Sequence, residues 1–114
     1  MTTWSQLFQG NFLEAADLGG KTVELEIESI EPPNTVKSED GRLIDKPIIR
    51  FRGAKKALIC NKTNGRRIAL WYFPKAASIE DWLAGKIRLH TEDDRRPDLG
   101  GKKGPCVRVA PKTN

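Results

Sequence analysis

A single histidine, a single methionine and two cysteines stand among the 114 residues of this chain, and that scarcity excludes several chemistries at once. Because His90 is alone, no metal site can draw two histidine ligands, and a mixed site would have to gather its cysteines from distant segments. The spacing of Cys60 and Cys106 matches no zinc pattern, so no metal is expected. Each cysteine adjoins an apolar residue, Ile59 or Val107, and reads as a small buried hydrophobe in a strand rather than half of a disulfide. No serine lies in a nucleophile-elbow context, and no glycine-rich loop ends in Gly-Lys-Ser/Thr. The run Gly100-Gly101-Lys102-Lys103-Gly104 has the composition of a phosphate loop, but it leads into Pro105 and a strand where such a loop opens a helix. The inventory points away from an enzyme, a cofactor or a small-molecule substrate.

Long apolar runs are missing as well. No stretch approaches the roughly 18 to 20 residues needed to cross a bilayer, so no membrane association is expected. Met1 to Ser5 has neither the basic start nor the apolar core of a signal peptide. The expected location is the cytoplasm.

What is present describes one small β-rich domain. Residues 1–20 read as an N-terminal arm: Phe8, Phe12, Leu13 and Ala16 recur at helical spacing, and Gly19-Gly20 ends the pattern. Residues 21–114 then form a single barrel. From Lys21 to Ile30, Val23, Leu25 and Ile27 alternate with Thr22, Glu24, Glu26 and Glu28, the period of a half-buried strand. After Pro32-Pro33 and an Asp40-Gly41 turn signal, Lys46 to Arg52 gives a second strand and Lys56 to Asn61 a third. The period changes there. Asn61 to Asn64 offers helix caps, and Ile68, Trp71 and Tyr72 fall on one helical face that Phe73-Pro74 ends. Ser78 to Asp81 reads as a capping box before Trp82, Leu83 and Gly85. Lys86 to His90 and Pro105 to Ala110 are the last strands, with Glu92 to Gly104 a polar loop between them. Three strands, a helix and two strands is the element order of a five-stranded OB-fold-like barrel, and an SH3-like barrel competes less well because it lacks that helix.

The net charge of +5 biases the chain toward polyanions. An OB-type barrel takes nucleic acid across its second and third strands and the loops beside them. The candidate phosphate contacts are therefore Arg50, Arg52, Lys55 and Lys56 around the second turn, Arg88 on the fourth strand, and Arg95, Arg96, Lys102 and Lys103 in the last loop. Arg50 and Arg52 have a competing role, because across a hairpin they face the acidic row Glu24, Glu26 and Glu28 as charge pairs. Lys62, Arg66 and Arg67 add a cationic patch at the start of the helix, where cations oppose the helix dipole. Base stacking needs exposed aromatics. Phe51, Trp71, Tyr72 and Trp82 all read as core, which leaves Trp4 and Phe8 in the arm as the free aromatics and as candidate partner-binding residues.

Three segments carry a resemblance: Phe12-Leu13-Glu14-Ala15-Ala16-Asp17-Leu18 before the first strand, Asn61-Lys62-Thr63-Asn64 after the third, and Trp82 followed by Gly85-Lys86-Ile87-Arg88-Leu89. Together they look like a group of small OB-like proteins encoded by bacteriophages and prophages. That group has no activity to carry over residue by residue. The resemblance implies a phage accessory protein in a replication or recombination setting, working in the host cell cytoplasm. Unlike well-known phage single-strand binders, the chain ends Ala110-Pro111-Lys112-Thr113-Asn114 without a long acidic tail.

Two readings stay open. One is a non-enzymatic nucleic-acid-binding module for single strands, with little sequence preference. The other is a protein–protein module that docks on a host or phage protein through Trp4 and Phe8 or a sheet edge, including inhibition of a host defence. A homodimer through an edge strand is compatible with either.

Overall fold

Strand β1 (Val23–Glu31) is the spine of the molecule, and its alternation explains why. Val23, Leu25 and Ile27 turn inward as expected, but Ile30 also packs against the core, so the parity switches once along the strand. A β-bulge at Glu28 makes the switch: Ile27 pairs with Phe51 and Ser29 with Arg50, leaving Glu28 without a counterpart. In this computed structural model, which describes residues 12–37, 41–96 and 100–112, the bend lets β1 serve two ladders. Val23 to Glu26 pair with β4 (Lys86–Arg95), and Ile27 to Glu31 pair with β2 (Ile48–Phe51).

Adding β3 (Leu58–Ile59) beside β2 and β5 (Lys103–Val109) beside β4 completes one antiparallel sheet in the order β3-β2-β1-β4-β5. The sheet curls into a half-barrel around one core. Ile27, Ile49, Ile68, Ile87, Leu89 and Val109 are almost fully enclosed there. Each contributes about 1.5–3 kcal/mol of burial free energy.

Three helical pieces pack against the core of this half-barrel. α1 (Ala15–Leu18) lies in the N-terminal segment and sends Leu18 into the core; Gly19 caps it in the left-handed region at φ 57°. Phe12 bridges to Ala57 in parallel and the Leu13 amide donates to the Ala57 carbonyl at 2.8 Å, so this segment lies beside the β3 end of the sheet. α2 (Lys62–Arg67) starts where Asn61 Oδ1 accepts the Asn64 amide at 2.9 Å, the capping expected of Asn61 to Asn64. A 3-10 turn (Ile79–Trp82) opens with the Ser78/Asp81 capping box and buries Trp82 against Phe73, ring centroids 6.1 Å apart. Gly85 follows because nothing larger fits: a Cβ there would lie 2.3 Å from the Phe73 ring.

Four expectations need correction. The segment from Glu92 to Gly104 is not a simple loop, since β4 runs to Arg95 and β5 starts at Lys103, making a long hairpin. The third strand is shorter than expected, only Leu58–Ile59. The helix after it does not stay α-helical. Ile68–Tyr72 is a π-helical turn, closed by the Phe73 amide on the Ile68 carbonyl, and it buries Ile68 and Tyr72 but leaves Trp71 exposed instead of in the core. Cys60 is buried as expected, whereas Cys106 is only half-buried; both are free thiols.

Candidate nucleic-acid interface

The nine cations singled out from the sequence fall into two groups once their neighbours are known. Arg52 Nε meets Glu26 Oε2 at 2.8 Å, a cross-strand pair with the acidic row of β1 as expected. Arg50 was expected to meet the same row. It instead binds Glu31 through Nε and Nη2, at 2.9 and 3.3 Å, because the bulge at Glu28 shifts the register and brings Glu31 onto its face. Lys56 Nζ meets Asp17 of α1 at 2.6 Å, and that contact holds the Asp17 carboxyl below its ordinary range. Arg88 is half-buried and stands opposite Glu24 in the ladder. Internal carboxylates therefore already oppose these four cations.

The second group lies at the far end of the β4–β5 hairpin and in the β2–β3 turn. Arg95 stands directly opposite Lys103, with Lys102 adjoining, and among the described residues none of the three has an ion-pair partner. Lys55 in the turn is exposed and likewise unpaired among the described residues. Like charges facing each other across a ladder are destabilising. Arg96, where the hairpin turns, donates from Nη1 to the Pro105 carbonyl at 3.2 Å.

The outer face of the hairpin is organised differently. Arg67 of α2 donates to both carboxylate oxygens of Glu92, at 2.7 and 3.1 Å, and to the Val109 carbonyl at 3.1 Å. His90 Nε2 lies within hydrogen-bond distance of the same Glu92 carboxylate. The Arg67 hydrogen bond, with help from His90, lowers the Glu92 pKa against the opposing cost of burial. Further out, buried Arg108 meets Asp94 at 2.9 and 3.2 Å and lowers its pKa. The pair Asp93-Asp94 was expected in a solvated loop; Asp94 is instead a strand residue with a fixed partner.

Between the turn half of the hairpin, β3 and α1 lies an open cleft of about 420 Å³ lined by Ile59, Asn61, Arg96, Pro105, Cys106 and Arg108 among others. It brings β3 and the first half of β5 onto one side of the molecule, so the turn half of the hairpin and the third strand share a surface. The edge of β5 facing this side is guarded. Pro105 has no amide proton to offer, and the Asn64 side chain takes the Val107 carbonyl and the Val109 amide, at 3.1 and 3.0 Å.

Sequence reasoning missed two residues here. Asn64 carried a capping signal only, and its contact with β5 is a long-range one that no local pattern encodes. Trp71 carried a core signal that the π turn overrides. Trp4 and Phe8, the candidate partner-binding residues, lie outside the described residues. Among the described residues no three His, Cys, Asp or Glu side chains gather as metal ligands, and no helix is long and apolar enough to cross a membrane. No protein-family model, no curated protein and no solved structure matches the chain.

Proposed function

We propose that this chain is a non-enzymatic module that binds single-stranded nucleic acid on an OB-type barrel. The OB reading is supported by the strand order, by a long first strand shared between two ladders, and by a helix lying between β3 and β4. One observation carries the functional reading: Arg95, Lys102 and Lys103 crowd one end of the β4–β5 hairpin, and none of them has an ion-pair partner among the described residues. That hairpin is the loop through which OB-type barrels grip strands. A phosphate backbone supplies the missing anion, and each neutralised phosphate releases a counterion. Arg50, Arg52 and Lys56 contribute less, because a strand would first have to displace Glu31, Glu26 and Asp17. The likeness to small phage proteins supports an accessory role in replication or recombination.

The test is fluorescence anisotropy of labelled single-stranded and duplex oligonucleotides at about 50 and 200 mM salt, where phosphate contacts separate clearly. Binding should weaken steeply with salt. Reversing Arg95, Lys102 and Lys103 together to Glu should reduce the salt slope by about 2, at roughly 0.7 per lost single-strand contact. Absence of any binding at the lower salt would remove the reading.

A further inference from the structure

We infer that the π-helical turn after α2 carries a base-stacking platform, with Trp71 as the residue on which one base of a single strand stacks. The inference rests on the nucleic-acid reading and names the residue that would give it a preference for single strands over duplex.

The turn itself is the first observation. In a regular α-helix Ile68, Trp71 and Tyr72 would share the buried face. The wider π turn seats Ile68 and Tyr72 in the core, with Ala69 packed against it, and leaves Trp71 39% and Leu70 70% exposed. Such turns recur at functional sites. The arrangement is firmly held. Tyr72 Oη donates to the Ala110 carbonyl at 2.6 Å and accepts the Arg88 amide at 3.2 Å.

The second observation is the floor beneath the indole. The Arg67 guanidinium lies over the Trp71 ring, 5.1 Å from its centroid, and is itself pinned by Glu92 and the Val109 carbonyl. One face of the ring is thus backed by a fixed cation, and its remaining exposure is open to a flat ligand. Leu70 beside it offers an apolar edge against which a sugar can pack.

Charge chooses the occupant. Residues 62–79 contain Lys62, Arg66, Arg67 and Lys75 and no carboxylate. Lys62 and Arg66 are exposed and have no ion-pair partner among the described residues. An aromatic platform set among unbalanced cations suits a strand that presents bases and phosphates together. The placement also fits. α2 runs beside β5, with Asn64 bonded to Val107 and Val109 and Tyr72 to Ala110, so Lys62 and Arg66 belong to the stretch between the hairpin cations and Trp71. From Lys103 to Val109 the strand covers about 20 Å at its ordinary rise, a span compatible with the roughly 4–16 nucleotides that an OB-type barrel covers.

The experiment uses the full chain carrying Trp4→Phe, in which Trp71 and buried Trp82 are the remaining tryptophans. The probes are an oligo-dT strand of about 12 nucleotides, within that footprint, and a duplex of equal length. Oligo-dT should quench the tryptophan emission, and Trp71→Ala should weaken single-strand binding roughly 5- to 100-fold, the loss of one stacked base. Trp71→Phe should recover most of it. Duplex binding, the salt slope and the urea midpoint should stay as they were. If Trp71→Ala binds the strand unchanged while reversal of the hairpin cations weakens it, the platform is wrong and the nucleic-acid reading stands. If no oligonucleotide binds at about 50 mM salt, a concentration that favours phosphate contacts, both fall. Quenching by an acidic leucine-containing peptide but not by oligo-dT would overturn the proposal in favour of a protein dock.

Discussion

Asn64 is a side chain doing the work of a strand. Its amide donates to the Val107 carbonyl and accepts from the Val109 amide, the two bonds that a neighbouring strand would otherwise give β5. It is 1% exposed, so nothing in solvent can replace it. Truncation strands two buried backbone groups, each costing about 1–3 kcal/mol. Asn64→Ala should therefore lower the unfolding free energy by about 2–6 kcal/mol, read as a drop in the urea midpoint. A midpoint within error of the parent would show that the amide merely occupies space. The neighbouring cap, Asn61→Ala, should cost only about 1 kcal/mol, because a single helix-end amide is all it serves.

At the level of elements, the β4–β5 hairpin sets stability against binding. Arg95 and Lys103 face one another in the ladder, a like-charge pair that weakens it. Lys103→Glu turns that repulsion into a cross-strand ion pair and should raise the unfolding free energy by about 0.2–1 kcal/mol. The same change should weaken oligonucleotide binding. A variant that is both less stable and equally tight in binding would contradict both roles. The bulge in β1 works in the opposite sense: by slipping one residue it brings Glu31 to Arg50 and spends that cation on the fold. Element geometry, rather than residue identity, divides the nine candidate cations into committed and available ones. Sequence patterns carried much of this level. The alternation of β1, the Asn61 cap and the Ser78/Asp81 capping box were all legible, because each depends on residues within a few positions of one another. The full length of the hairpin was not, since Glu92 to Arg95 and Lys103-Gly104 are too polar to look like strand and hold together only by pairing with each other.

The whole molecule responds to acid through carboxylates scattered over its surface. Asp17, Glu92 and Asp94 all have pKa values lowered in the fold, chiefly by hydrogen bonds from Lys56, Arg67 and Arg108 respectively. A lowered carboxylate contributes stability that is fully present above its unfolded pKa and is lost as pH falls through the folded one. Stability should therefore be level near neutrality and decline below about pH 5. Glu92 is the most informative of the three, since Arg67 joins it to α2 and His90 shares it. Glu92→Gln should be less stable than the parent at neutral pH, with the two urea midpoints converging as the carboxylate protonates. Parallel curves down to about pH 3, below the ordinary Glu pKa, would mean that Glu92 contributes nothing through its charge. The thiols follow the same logic of burial. Desolvation pushes Cys60 up to about 11, which suits a residue enclosed by the core rather than one that reacts.

By itself the sequence determined the mainly β class of fold, the inward residues Ile27, Ile49 and Phe51, the caps, and the burial of Trp82. These follow from short-range periodicity and from the size of single side chains. Only the tertiary structure decided which cations are already neutralised, that Asn64 substitutes for a strand, and that Trp71 faces outward. The reason is the same in each case. Pairing depends on register across distant segments, and a single bulge in β1 or one widened helical turn moves a side chain to another face without leaving a mark in the local pattern.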